Sequence, residues 1–113
     1  MRRIDVVIES ESFNAVHEAL RRARLGPFRA SEVRIFDPSK PPEGCYRGAK
    51  FPVGVECVRL ELIVRDHEVK VAIDAIRDGI EVLGEGDAEI VVGPVEESMR
   101  LRPSVWARAA AGR

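Results

Sequence analysis

Three prolines fall within eight residues at Asp37-Pro38-Ser39-Lys40-Pro41-Pro42-Glu43-Gly44, and this stretch divides the 113-residue chain into two halves. Proline lacks a backbone N–H and fixes φ, so the segment is neither a helix nor a central strand. The loop is expected to continue to about Val55. Connections longer than about 12–15 residues inside a compact domain are usually functional or disordered, which makes this one the first place to look for a site.

Each half carries the same succession of signals. Ile4, Val6 and Ile8 alternate with Arg3, Asp5 and Glu9, the period of a strand with one buried face, predicted over residues 2–9. Ser10 or Ser12 then caps a helix predicted over residues 12–25, with Phe13, Val16, Leu20 and Ala23 on one stripe and Gly26-Pro27 as the stop. Residues 28–36 read as a second strand of imperfect alternation. After the loop, Val58, Leu60, Leu62 and Val64 define the clearest strand. Asp66 is expected to cap a second helix, whose apolar positions are Val69, Ala72, Ile73, Ile76 and Ile80. A Gly-rich acidic loop from Leu83 to Asp87 leads to a strand over residues 88–92 that Pro94 ends, and residues 99–102 can add a short strand. The order matches a ferredoxin-like βαββαβ arrangement, an α+β fold with one antiparallel sheet and both helices on one face. That fold hosts many functions, so the site decides.

With 45% apolar and 33% charged residues, the chain has the composition of one globular domain, able to bury about 60–70% of its unfolded surface. No run of eighteen apolar residues is present, and charges interrupt the N-terminal stretch, so a soluble cytoplasmic protein without membrane insertion is expected. A formal charge of −1 argues against a nucleic-acid binder. The distribution is uneven: seven acids and no Lys or Arg lie from Asp78 to Glu97, followed by four arginines and no acid from Ser98 to Arg113. Two solvated surfaces, or a basic tail serving an anion bound near the acidic segment, both account for this. Cys45 and Cys57 show no zinc-site spacing, so no metal is expected. Two ordinary thiols come first, with a redox-responsive pair as the alternative.

Within the long loop, Tyr46-Arg47-Gly48-Ala49-Lys50-Phe51 resembles the YRGAEY segment in the T-loop of the PII nitrogen-regulatory signalling proteins. Arg3-Ile4-Asp5, Glu18-Ala19-Leu20, Glu32-Val33 with Phe36, Gly86-Asp87 and Arg100-Leu101-Arg102 follow in the family's order, so the likeness spans about residues 2–103. The resemblance implies a PII-like domain over 1–103, with a T-loop at about 37–55, a nucleotide-binding loop at about 82–90, and a tail at 104–113. It also implies a homotrimer that binds adenine nucleotides in inter-subunit clefts and regulates a target protein through the T-loop. The implied nucleotide-binding residues are Ile35, Phe36, Asp37, Gly84, Gly86, Asp87, Ala88, Glu89, Arg100 and Arg102. Backbone N–H groups of a Gly-containing turn and two guanidiniums on an Arg-x-Arg strand suit a phosphate. Lys40, Tyr46, Arg47, Lys50 and Phe51 fall on the T-loop face that meets a partner or a small anion, with Tyr46 expected mainly to pack.

The departures are specific. Where the family's phosphate loop reads GDGK, this chain has Gly86-Asp87-Ala88-Glu89, which puts a carboxylate in place of a lysine. The GFGRQ run that opens the family's T-loop is Ile35-Phe36-Asp37-Pro38-Ser39, and the family's lysine for 2-oxoglutarate falls on Cys57. Phe51 and Ala49 stand where the family carries modifiable hydroxyls. These changes are similar to those of divergent PII-like proteins, including the carboxysome- and bicarbonate-associated branch. They imply ADP or AMP as ligand ahead of ATP, with bicarbonate as a second anion and no covalent cofactor. The alternatives are a slow ATP-hydrolysing enzyme and a structural interaction trimer with a degenerate nucleotide site. His17 and His67 form no nucleophile–base arrangement in the sequence, so no catalytic residue is assigned.

Overall fold

The computed structural model describes residues 1–84, 88–99 and 101. Strand β1 (Arg2–Glu9) leads through a 3₁₀ turn (Ser10–Ser12) into helix α1 (Phe13–Arg22), and β2 is Arg29–Ile35. Two short strands, β3 (Gly44–Tyr46) and β4 (Ala49–Phe51), lie within the long loop. Strand β5 (Val55–Val64), a 3₁₀ turn (Asp66–Glu68), helix α2 (Val69–Glu81) and β6 (Ile90–Pro94) follow. The main sheet has the order β2-β5-β1-β6, every neighbour antiparallel, which is the ferredoxin-like arrangement.

Alternation fixes the register. Ile4, Val6 and Ile8 stand opposite Leu62, Leu60 and Val58. Because a strand's side chains alternate, all six point to the same face, where they meet Val16 and Leu20 of α1 and Ala72, Ala75 and Ile76 of α2. The helices approach closely because α2 presents small residues. A Cβ placed on Gly79 would lie 2.6 Å from the Cα of Val16 and 2.9 Å from its N. The buried stripe of α2 is therefore Ala72, Ala75, Ile76 and Gly79, with Val69, Ile73 and Ile80 only half-buried at its margins.

Several element ends differ from the sequence reading. Helix α1 closes at Arg22, four residues before Gly26: Arg24 takes the left-handed conformation at φ 58°, its N–H donates to Arg21 O at 3.0 Å, and Leu25 N–H donates to Leu20 O at 3.3 Å. This is a Schellman cap, and it returns Leu25 to the core. Neither Ser10 nor Ser12 caps α1 with its side chain; Ser10 Oγ donates to Glu56 O at 3.3 Å instead. Asp66 does not cap α2 either, since its carboxylate holds the Met1 amine at 3.0 Å, while Glu68 accepts the Arg65 N–H at 2.9 Å. The last strand begins at Ile90 and includes Pro94. Proline fits there because β6 is an edge strand. Met99 and Leu101 lie outside any strand, and the remainder of the short strand expected over 99–102 falls outside the described residues, as does the tail over 104–113.

Two glycine exchanges test this packing in opposite directions. Gly79→Ala gains helix propensity but drives a methyl into the α1 backbone, so a loss of about 1–3 kcal/mol is expected. Arg24→Gly relieves the left-handed strain at the α1 cap and should raise stability by about 0.5–1 kcal/mol. Urea unfolding followed by circular dichroism measures both.

Candidate functional site

The long loop is built rather than irregular. Gly44, Cys45 and Tyr46 pair with Phe51, Lys50 and Ala49 in a two-stranded hairpin. Its two turn residues, Arg47 and Gly48, both have positive φ (51° and 82°), the type I′ geometry that matches strand twist. The sequence reading missed the hairpin because this turn normally signals itself as Asn-Gly, and an arginine stands in the first position. Gly44 supplies the second device: a Cβ there would fall on the Phe51 ring, so only a glycine leaves room for the ring at that place. Tyr46 is 65% exposed with the Arg47 guanidinium 5.4 Å from its ring centroid, a cation–π contact. Tyr46 thus presents its ring to solvent, where a packing role was expected. Cys45 and Lys50 occupy the opposite face of the hairpin, and Lys40 is exposed before it.

The loop is anchored at its base. Arg34 on β2 stands directly across from Glu56 on β5. Its Nη2 donates to Glu56 Oε1 at 3.1 Å and its Nη1 to the Val53 carbonyl at 3.0 Å. Between these partners Gly54 turns the chain into β5 at φ 75°, where a Cβ would meet Arg34 Cγ at 2.8 Å, Ile35 O at 2.9 Å and the Phe36 ring at 2.9 Å. Sequence reading did not find this brace; its signal, opposite charges at facing positions, exists only once the β2–β5 register is known.

Ile35 ends β2 opposite Val55 and is exposed, as is Phe36. Asp37 is committed to its own turn: Ser39 donates its N–H at 3.0 Å and its hydroxyl at 2.6 Å to Asp37 Oδ1, and Lys40 N–H donates to Asp37 O at 3.1 Å. The Ser39 hydroxyl above all, with the backbone bond, holds the Asp37 carboxyl below its ordinary range. Gly84, at φ 76°, closes the turn after α2 with its N–H on Glu81 O at 2.9 Å. Ala88 packs half-buried against the core and Glu89 is exposed. Gly86, Asp87, Arg100 and Arg102 lie outside the described residues.

Register places these segments relative to one another. Val6 pairs with Ile90, so Ala88 and Glu89 approach the same end of the sheet at which Ile35 pairs with Val55. They sit, however, on opposite edges, β6 and β2, with β5 and β1 between them. Three strand spacings set the two edges roughly 14 Å apart.

The sheet face away from the helices carries a charge ladder across three strands. Arg59 grips Asp5 through two bonds of 2.7 Å and reaches Glu61 at 3.4 Å, while Arg29 reaches Glu61 at 3.3 Å. The hydrogen bond from Arg59 is the main cause that holds the Asp5 carboxyl below its usual range. Around this ladder Ile35, Val55, Ile63 and Val91 remain exposed.

Cys57 is buried in β5 between Glu9 and Val33, where burial first, and the Glu9 and Glu11 carboxylates next, push its thiol up. Cys45 is exposed on the hairpin, and both thiols are free. His17 lies among rings, with centroids 6.0 Å from Phe13 and 5.8 Å from Phe28, over a shallow cavity of about 320 Å³ closed by Arg21, Leu25 and Pro27. Arg21 there is bound to Glu18, whose carboxyl it draws down to about 2. Among the described residues no group of His, Cys, Asp and Glu could hold a metal ion, and no helix is long and apolar enough to cross a membrane.

No protein-family model matches the chain. Whole-chain relatives do. A protein named nitrogen regulatory protein P-II from Bradyrhizobium diazoefficiens is 33% identical over 103 residues, 90% of this chain and 92% of the relative. Proteins of the same name from Mesorhizobium japonicum and Azospirillum brasilense are 33% and 32% identical over the same shares. With a four-stranded βαββαβ sheet, a long loop braced between β2 and β5, and this identity along nearly its whole length, the chain belongs to the nitrogen regulatory P-II protein family.

Proposed function

We propose that this P-II family protein senses adenine nucleotides, ADP or AMP ahead of ATP, in clefts completed by a second copy, and reports occupancy to a target protein through its T-loop. The observation that carries this reading is the separation just described. The segment Ile35–Asp37 and the segment Ala88–Glu89 share one end of the sheet but lie on opposite edges, an arrangement that favours a cleft completed by a second copy laid edge to edge. Exposed edge strands favour such an assembly. So do the apolar residues around the charge ladder, which a homotrimer packed about the open sheet faces would cover.

The chemistry of the cleft favours fewer phosphates. Glu89 is an exposed carboxylate where the family's GDGK phosphate loop carries a lysine, and Pro38 stands where the family's GFGRQ run carries an arginine. Each difference weakens the binding of an outer phosphate by about 1 kcal/mol at a partly exposed position. Arg100 and Arg102 are the assigned phosphate ligands. Bicarbonate is assigned as a second anion beside Lys40, Arg47 and Lys50, and the role is regulatory rather than catalytic.

Light scattering at micromolar concentration should give about three times 12.5 kDa; a monomer would sink the shared-cleft reading. In calorimetry AMP or ADP should bind more tightly than ATP, and Glu89→Lys should move the preference toward ATP by about fivefold to tenfold. Arg100→Ala and Arg102→Ala should each weaken ADP binding by about 10- to 150-fold while the trimer persists. ATP binding tightest to the parent protein, or undiminished ADP binding by the double variant, would overturn this assignment.

A further inference from the structure

The brace at the loop base has a geometry that suits release as well as support. One side chain, Arg34, holds the returning limb at three places: a hydrogen bond to the Val53 carbonyl, van der Waals contact of its stem with Gly54, and a charge-assisted bond to Glu56. Among the described residues no other β2 side chain hydrogen-bonds to residue 53. Phe36 approaches Gly54 beside the Arg34 stem, so the same residues that hold the return limb flank the start of the outgoing limb, Ile35–Asp37.

The holding contacts are exposed to exchange. The Arg34 side chain is 44% exposed and that of Glu56 74%, and the ion pair uses a single carboxylate oxygen. A guanidinium is matched better by a phosphate, which offers several anionic oxygens to its planar fork, than by one solvated carboxylate oxygen and one carbonyl. On the outgoing limb Pro38 supplies no cation, Asp37 is bound into its turn, and Lys40 is the next cation along the chain. Arg34 is the guanidinium that this limb offers.

We infer that Arg34 is a positioning residue that couples an anion at the β2 edge to the long loop. It clamps Val53 and Glu56 when the edge is empty, and a nucleotide phosphate draws its guanidinium away, freeing the return limb from Val53 to Glu56. The coupling rests on the nucleotide reading above; the clamp itself rests only on the contacts of Arg34. The released limb carries the hairpin with it, because β4 ends at Phe51, two residues before the clamped carbonyl.

Hydrogen–deuterium exchange of the amides of Phe51, Val53, Gly54 and Val55 reads the clamp, with and without ADP, and calorimetry on the same samples reports whether ADP binds. Without ligand, Arg34→Ala should exchange about tenfold faster than the parent at these amides, as loss of two hydrogen bonds implies. Arg34→Lys, which keeps the charge but can reach only one acceptor, should fall between them. Glu56→Gln should retain most of the protection, because the Val53 bond survives. Adding ADP should speed exchange in the parent and leave Arg34→Ala unchanged. If Arg34→Ala exchanges like the parent without ligand, the clamp is wrong. If ADP binds the parent and exchange still responds to it equally in Arg34→Ala, the clamp stands but the coupling is overturned. A parent that binds no ADP removes the nucleotide reading and the coupling together, while the ligand-free comparison still decides the clamp.

Discussion

The pairing of β1 with β5 is the constraint on which the remaining structure depends. Ile4, Val6 and Ile8 reach the helices only if they stand opposite Leu62, Leu60 and Val58, and a one-residue slip of β1 would turn Arg3, Asp5 and Val7 toward the core. The same register makes the bidentate Asp5–Arg59 pair on the far face. It also sets where β2 and β6 attach, and therefore which loops share an end of the sheet. Helix packing follows: Gly79 permits α2 to lie against Val16, so the two helices cover the sheet as one layer. The core is small, and most of its members belong to these two strands and two helices.

Much of this was legible in the sequence because it is periodic. Strand β1 falls at the residues its alternation marks, and the apolar face of β5 was read correctly at Val58, Leu60, Leu62 and Val64. What escaped was set by contacts that have no period. The end of α1 depends on Arg24 adopting a conformation that glycine adopts more readily, so the nearby Gly26 misdirected the reading. Asp66 resembled a cap, but a cation brought over from the chain start claimed it. The helix–helix contact used Ala75 and Gly79, residues that a search for large apolar side chains passes over.

The site divides in the same manner. The YRGAKF segment identified the loop and its family, yet not that the loop contains a hairpin, since Arg47 obscures the turn and the Gly44–Phe51 stacking joins residues seven apart. Arg34 and Glu56 are 22 positions apart and look like unrelated surface charges until the sheet sets them side by side. Residues whose role is defined by a neighbour across a strand are invisible to local pattern, whereas residues whose role is defined by a motif are not. The brace that holds the loop in place therefore becomes visible only in the structure.

The folded hairpin also bears on the thermodynamics of recognition. A long polar loop without internal structure would lose much of its conformational freedom on meeting a target, and that loss would be subtracted from the affinity. Here the turn at Arg47-Gly48 and the Phe51 ring over Gly44 set residues 44–51 in a paired hairpin before any contact with a target. Under the proposed function, association through this element would resemble the docking of two rigid bodies, with a smaller entropic penalty and a rate set more by collision and orientation than by ordering.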